Sequence, residues 1–284
     1  MLKKIFFAAA LLLASELIAK PVVIASIAPV EYLAKAVGGD KIEVQSLAKG
    51  DVHSYEPKPN DMKAVAKARI FIAAGLEFEE AWIPRFKASA KNLVVVKSDA
   101  KIAKLKEERG EQAEHDEKHE AHADPHVWLN PMLAITMARN ISDALIDMDK
   151  ANKDFYLENF QKLMNDLLAF DESAKNELAE LKNRKFVVYH PAWGYFAAHY
   201  DLEQISIERS GKEPKIDEMA STLKMIKDEN IKVIFADPNR SQKSAQVLAS
   251  QTGAKVELLD PLGYNLLENL KIAVGAIKDA NSPK

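Results

Sequence analysis

Short runs of aliphatic and β-branched residues alternate with helical patterns in each half of this 284-residue chain, and this alternation constrains the fold most strongly. The runs are predicted strands, at residues 21–27, 42–47, 69–73, 93–96, 185–189, 203–207, 232–236 and 255–259. Helical patterns lie between them, at residues 29–37, 60–67, 216–229 and 241–252. Such alternation favours mostly parallel sheets with helices on both faces. We therefore predict an α/β protein of two similar lobes, each with a roughly four-stranded, mostly parallel sheet flanked by helices.

The longest helical pattern of the chain lies between the two halves, at residues 152–182. Its apolar residues recur at steps of three and four, which puts them on one helix face: Tyr156, Phe160, Leu163, Leu167, Phe170, Ala174, Leu178 and Leu181. A helix of this length would span about 45 Å. The alternative is a break at residues 171–173, where Asp and Ser could cap a helix. The main prediction is one long, rigid helix that joins the lobes.

The amino terminus has the pattern of an export signal. Lys3 and Lys4 precede an apolar run at residues 5–13 that is too short to cross a membrane, and small residues follow. We expect cleavage near Ala19, with an N-terminal core helix as the alternative. The chain has no cysteine, so we expect no disulfide and no lipid attached to cysteine. These features predict an exported protein that is free in the periplasm.

Composition and charge narrow the class of protein. The chain is 48% hydrophobic and 29% charged, which is ordinary for a globular protein, and its formal net charge is −3. It lacks the basic surplus that nucleic-acid-binding proteins carry, so we expect no nucleic-acid partner. We also expect a monomer. The predicted organisation is a signal peptide at 1–19, an N-terminal lobe at 20–151, a linking helix at 152–182 and a C-terminal lobe at 183–284.

A polar stretch at residues 98–124 is rich in Lys, Glu and His and contains no aromatic residue. This composition predicts a long loop, at about residues 100–124. The loop carries His115, His119 and His122. Imidazole is the commonest metal-binding side chain, but a loop without regular structure cannot impose a geometry on a metal. We therefore predict weak accessory metal binding here, with a plain solvated insertion as the other interpretation.

Four potential metal ligands outside this loop lie next to predicted strand or helix ends. His53 follows the second strand, His190 and Asp260 follow the fifth and eighth strands, and His126 precedes a helix expected to begin at Pro131. Ligands of open α/β sheets bind outside the carboxyl ends of the strands. Each half of the chain contributes two of the four residues, so they can meet only across a cleft between lobes. Taken singly, each His also fits a hydrogen-bonded surface or core residue, and Asp260 fits a turn residue.

Four motifs in a fixed order carry a resemblance to a known family. They are HSYEP at residues 53–57, DPHVWLNP at 124–131, YHPAWGYF at 189–196 and LDPLG at 259–263. The chain resembles the metal-binding solute receptors of zinc and manganese ABC importers (cluster A-I), and most closely their zinc-specific, ZnuA-like periplasmic members. The resemblance covers residues 20–284. It implies a metal held between two lobes and delivered to a membrane permease that an ATPase subunit drives.

The resemblance also implies the ligands. His53, His126 and His190 are expected to bind the metal, and Asp260 or water is expected to be the fourth ligand. Manganese receptors of this family usually carry Glu where His190 stands, and a third imidazole favours Zn²⁺. We therefore predict a high-affinity zinc receptor that is not an enzyme.

Three alternatives to a zinc receptor remain. The first is a manganese or iron receptor of the same family. The second is a secreted zinc-dependent hydrolase, since three imidazoles with an open position resemble a catalytic zinc site. The chain has no HExxH motif and no obvious general base beside the predicted ligands, which argues against the hydrolase. The third is a buffer that only sequesters zinc.

Overall fold

A computed structural model describes residues 19–106, 123–208 and 216–281 of the chain. Within these residues, two four-stranded sheets contain only parallel pairs, with strand orders β2-β1-β3-β4 and β6-β5-β7-β8. The strands are β1 Val22–Ala25, β2 Glu43–Ser46, β3 Ile70–Ala73, β4 Val94–Lys97, β5 Lys185–Val188, β6 Glu203–Ser206, β7 Val233–Ala236 and β8 Lys255–Leu258. All eight predicted strands and the predicted α/β fold of two similar lobes are confirmed.

Helices cover these sheets. They are α1 Ala28–Gly38, α2 Pro59–Val65, α3 Glu77–Ser89, α4 Pro131–Met148, α5 Lys153–Ala179, α6 Gly194–His199, α7 Ile216–Asp228, α8 Lys243–Thr252 and α9 Leu266–Asn281, with 3₁₀ turns at Val127–Leu129 and Lys150–Asn152. The sequence analysis did not predict α3 or α9. Helix α3 contains Pro84, which normally interrupts a helix. Helix α9 has regular apolar spacing, which was not among the predicted helical patterns.

The two sheets have the same topology. The central strands β1 and β3 pair with each other, and so do β5 and β7, while the chain crosses over to reach the edge strands. In open parallel sheets of this kind, ligands bind outside the carboxyl ends of the strands, at the point where the strand order reverses. Each lobe therefore presents one such edge.

Helix α5 is continuous from Lys153 to Ala179, so the predicted single linking helix is confirmed and the break at residues 171–173 is wrong. Asp171 lies within this helix, and its carboxylate is engaged by neighbours rather than by a helix terminus: Lys175 Nζ lies 2.7 Å and His199 Nε2 2.6 Å from its oxygens. With 27 residues the helix is about 40 Å long. It is slightly shorter than the predicted range of 152–182.

The hydrophobic core runs through both lobes along α5. This helix packs on α1 and α4 of the first lobe and on α9 of the second. One buried cluster accordingly includes Leu33 of α1, Leu167 of α5 and Leu270 of α9. Because interiors are close-packed, a shared core holds the lobes in a defined relative position.

Two parts of the prediction lie outside the described residues. They are the signal peptide up to residue 18 and the loop histidines His115, His119 and His122. The described ends of that loop form an antiparallel bridge between Lys106 and Ala123. Among the helices of the described ranges, none has the length and apolar character that crossing a bilayer requires.

Adjacent leucines of α5 provide a test of the shared core. Leu167 is fully buried, whereas Leu168 is 40% exposed. Leu167→Ala should lower the free energy of unfolding by about 3 kcal/mol, because it leaves a cavity in the shared core. Leu168→Ala on the same helix should change it by less than about 1 kcal/mol. Urea unfolding of the metal-free variants measures both, and equal losses would contradict the packing described.

Candidate metal centre

Three histidines from three separate loops bring their rings together at the carboxyl ends of the strands. His53 follows β2, His126 directly precedes the 3₁₀ turn Val127–Leu129, and His190 lies two residues after β5. One ligand nitrogen of each lies within 4.8 Å of the other two. The Nε2 atoms of His53 and His190 are 3.1 Å apart. The structure thus brings together three of the four predicted ligands, two from the first lobe and one from the second.

Buried carboxylates orient two of these rings. Asp124 Oδ1 lies 2.8 Å from His126 Nδ1 and also accepts the His126 backbone N–H at 2.9 Å. Glu208 Oε2 lies 2.9 Å from His190 Nδ1. A carboxylate at Nδ1 keeps the proton of a neutral imidazole on that atom, so the Nε2 lone pair faces the other histidines. Gly194 leaves room for Asp124, since a Cβ there would lie 3.1 Å from Asp124 Oδ2.

The segment that carries His126 is fixed from both sides. Asn130 caps α4 by accepting the backbone N–H groups of Met132 and Leu133. Trp128 is fully buried, and its Nε1–H donates to the Pro261 carbonyl of the second lobe at 2.7 Å. His126 itself is only 4% exposed. The cap and the interlobe hydrogen bond together hold this predicted ligand at one position in the cleft.

The base of the predicted loop is attached to the same segment. The Asp124 backbone N–H donates to Leu105 O at 2.9 Å, next to the bridge between Lys106 and Ala123. The Tyr195 hydroxyl of α6 accepts the Leu105 N–H and donates to Asp124 O, both at 2.8 Å. A residue of the second lobe therefore closes the base of the loop and positions the aspartate that orients His126.

Asp260 lies outside the group of three histidines. Its Oδ1 accepts hydrogen bonds from Asn239 Nδ2 at 2.7 Å and from the Leu262 backbone N–H at 2.8 Å. Asn269 Nδ2 donates to its carbonyl. Among the described residues, the ligand atoms that could share a metal ion come from the histidines alone. In this geometry Asp260 stabilises the turn after β8, and the two alternatives for the fourth ligand, Asp260 and water, both stay predictions.

Sequence reasoning missed the residues that surround the histidines. Asp124 was quoted within a motif but not given a role, although an Asp two residues before a His can accept that residue's backbone N–H. Glu208 and Arg240 meet at 3.2 Å from separate loops of the second lobe. No local pattern connects them with His190, which is 18 residues from Glu208 along the chain. Only the order of the strands brings them together.

The electrostatics of the cleft keep two rings neutral. The pKa of His53 is lowered to about 3, first by desolvation of the ring and then by the nearby His126, His190 and Arg240, although Asp51 opposes them. Burial of the ring also lowers the pKa of His190 well below its ordinary value of 6.5, and the nearby His126 and Arg240 act in the same direction. Neutral imidazole is the form that binds a metal. The cleft therefore offers lone pairs near neutral pH without having to release protons from these two rings.

Comparison with known proteins agrees with this arrangement. Residues 23–280 match the family described as ZnuA, zinc-uptake complex component A, periplasmic. The chain belongs to this family. The family resemblance expected from the four motifs is thereby confirmed.

Individual relatives of this ZnuA family member match it over most of their length. The high-affinity zinc uptake system protein ZnuA of Bacillus subtilis is 30% identical over an aligned length of 279 residues, and the alignment covers 91% of this chain and 86% of the relative. A crystal structure of ZnuA is 35% identical with a TM-score of 0.85, covering 93% of this chain and all of that one. A ZnuA deletion mutant with zinc bound is 34% identical with a TM-score of 0.86, covering 93% and 99%.

Acid should destabilise the metal-free protein through the cleft histidines. In the unfolded chain His53 and His190 take up protons as the pH falls below about 6.5, whereas in the folded chain their depressed pKa values keep them neutral. Between the two pKa values the unfolded state binds more protons, so the free energy of unfolding falls as the pH falls. The urea midpoint measured with a chelator present should be lower at about pH 5 than at about pH 7.5.

The control for this pH dependence is His53→Gln, which cannot titrate at this position. Its urea midpoint should fall less than that of the unsubstituted protein over the same pH interval. An equal fall in both proteins would contradict the depressed pKa of His53.

Proposed function

We propose that this chain is a periplasmic zinc receptor, which captures Zn²⁺ between its two lobes and delivers it to an ABC-type import permease. The observation that carries the proposal is the convergence of His53, His126 and His190 from both lobes. Membership of the ZnuA family supports the class of protein, and the zinc-bound ZnuA mutant supports the metal. The ion is cargo, so it has to be held tightly and also released.

The ligands in this proposal are the Nε2 atoms of the three histidines. Tetrahedral zinc with Zn–N bonds of about 2.0–2.1 Å places its nitrogen ligands about 3.4 Å from each other. The His53–His190 separation of 3.1 Å is already close to that value. Small movements of the rings therefore suffice to close the site around an ion. Nitrogen-rich sites favour Zn²⁺ over Mn²⁺, which prefers oxygen ligands. A given site also generally binds Fe²⁺ more weakly than Zn²⁺, so zinc is a better candidate than manganese or iron.

A receptor fits this site better than a zinc-dependent hydrolase. A hydrolase needs a base beside the metal-bound water. The buried carboxylates nearest to the rings, Asp124 and Glu208, are each engaged with an Nδ1 atom. There they orient ligands, which is the usual role of carboxylates behind zinc-binding histidines.

His53 marks the side from which the ion enters and leaves. His53 is exposed, whereas His126 and His190 are 4% and 6% exposed. On binding, the side of the ion next to His53 is therefore the last to lose contact with water. On release, the same side is the first to regain it. The partners proposed for delivery are the permease and ATPase subunits of a zinc importer, as the family implies.

The remaining parts of the proposal concern location and organisation. Residues 1–19 direct export to the periplasm and are removed, residues 20–151 and 183–284 form the lobes, and 152–182 is the link between them. His115, His119 and His122 supply weak accessory zinc binding next to the tight site. The mature protein acts as a monomer.

Zinc titration with a competing chelator tests the proposed function. The metal-free protein should bind one Zn²⁺ tightly, and His126→Ala should weaken that site by at least about 100-fold, because it removes a ligand rather than an orienting partner. His199→Gln is the control, since His199 contacts Asp171 on α5, outside the cleft. Tight binding that survives His126→Ala would overturn the ligand assignment.

A second substitution decides between Asp260 and water as the fourth ligand. Asp260 Oδ1 is already engaged in the turn after β8, and Asn can preserve this atom as an acceptor for Leu262. Asp260→Asn should therefore leave zinc affinity within about threefold of the unsubstituted value, which is about 0.7 kcal/mol. A loss of tenfold or more in the same titration would make Asp260 a ligand.

A further inference from the structure

The loop that carries His53 depends on one carboxylate. His53 lies between β2 and α2, where the described chain forms neither helix nor strand. Asp51 Oδ1 accepts the His53 backbone N–H at 3.1 Å, and Asp51 Oδ2 accepts the Ser54 hydroxyl at 3.2 Å. Asp51 thus organises the turn that presents the exposed ligand. Contacts that fix the position of Asp51 therefore also fix the position of His53.

A guanidinium from the opposite lobe contacts this carboxylate. Arg240 lies in the turn between β7 and α8, and its Nη1 is 3.5 Å from Asp51 Oδ1. Its Nη2 is 3.2 Å from Glu208 Oε1, while the other oxygen of Glu208 engages His190. The Arg240 side chain is only 15% exposed, so water screens these ion pairs less than surface pairs. Arg240 therefore connects the supports of two ligands across the cleft.

The position of this cation is unfavourable for metal binding by charge alone. Arg240 lowers the pKa of both His53 and His190, which means that its charge acts on the rings expected to receive a dication. Coulomb repulsion by itself predicts that a neutral residue here would tighten zinc binding. A planar guanidinium can also bridge two carboxylates, which an ammonium group does not do with the same geometry. The two effects of Arg240 on affinity have opposite signs.

We propose that Arg240 is a positioning residue of the metal centre, which fastens the His53 loop to the second lobe through Asp51 and Glu208 and thereby slows release of the metal. This inference rests on the proposed function, because it assumes that the three histidines bind the ion. His53 is the exposed ligand, so its departure is the step that opens the site. The bond between Asp51 and Arg240 has to break for the His53 loop to move away from the second lobe.

The rate of zinc release tests this role. Arg240→Gln should raise the dissociation rate constant into an excess of chelator about tenfold, leave association nearly unchanged, and so weaken affinity. Arg240→Lys keeps the charge but not the bridging geometry, and should release zinc at an intermediate rate. Arg85→Gln is the matched control, because that guanidinium stacks on Trp82 of α3 and contacts neither Asp51 nor Glu208 in the structure.

Two further measurements separate positioning from a general loss of structure. Asp51→Asn breaks the same bond from the first lobe, and combining it with Arg240→Gln should accelerate release no more than the stronger single variant does. Visible absorption of Co²⁺ bound in place of zinc reports ligand geometry, and its tetrahedral bands should change in Arg240→Gln but not in Arg85→Gln.

The outcomes distinguish this inference from the proposed function. Slower or unchanged release from Arg240→Gln, with tight binding by the unsubstituted protein, would overturn the positioning role and leave the receptor intact. Additive effects of Asp51→Asn and Arg240→Gln would also overturn it. Absence of a tight site in the unsubstituted protein would instead refute the proposed function.

Discussion

The metal centre depends on a hydrophobic core that does not stop at the boundary between the lobes. Helix α5 runs 27 residues without a break and packs on α1 and α4 on one side and on α9 on the other. The loops that carry His53 and His126 belong to one sheet and the loop that carries His190 belongs to the other. Three ring nitrogens can converge within 4.8 Å only if the two sheets keep a fixed relation. The shared core provides that relation, and a close-packed core resists gradual deformation.

Polar contacts refine the position that the core sets. Asp124 and Glu208 each hold an Nδ1 atom, and the Trp128 indole reaches the carbonyl of Pro261 across the cleft. The depressed pKa values of His53 and His190 keep these two rings neutral and ready for a cation. Of the three predicted ligands, His126 and His190 are buried and His53 is exposed. A receptor that has to release its cargo requires such an asymmetry, because a fully enclosed ion would have no path out without separation of the lobes.

The sequence predicted the parts of this protein that depend on local periodicity. The eight strands and the linking helix follow from alternation and from apolar steps of three and four. The places of His53, His126 and His190 at strand and helix ends made them candidates, and the family resemblance of the four motifs implied that they are ligands. Residues whose role depends on strand order were not predictable in this way. Glu208 lies behind His190 because β6 is the neighbour of β5, and Arg240 meets Asp51 across 189 residues of chain. Asp260 has the position expected of a ligand, yet hydrogen bonds from Asn239 and Leu262 engage its side chain in the turn.

The most direct measurement is a crystal structure of the zinc-loaded protein with anomalous scattering recorded at the zinc absorption edge. We expect one strong peak in the cleft, about 2.0–2.1 Å from the Nε2 atoms of His53, His126 and His190. Such a peak would establish that both lobes bind the same ion. A peak with ligands from only one lobe would contradict a site shared by the two lobes. Zinc found only at residues 107–122 would also contradict it and would make the loop histidines the principal binding site.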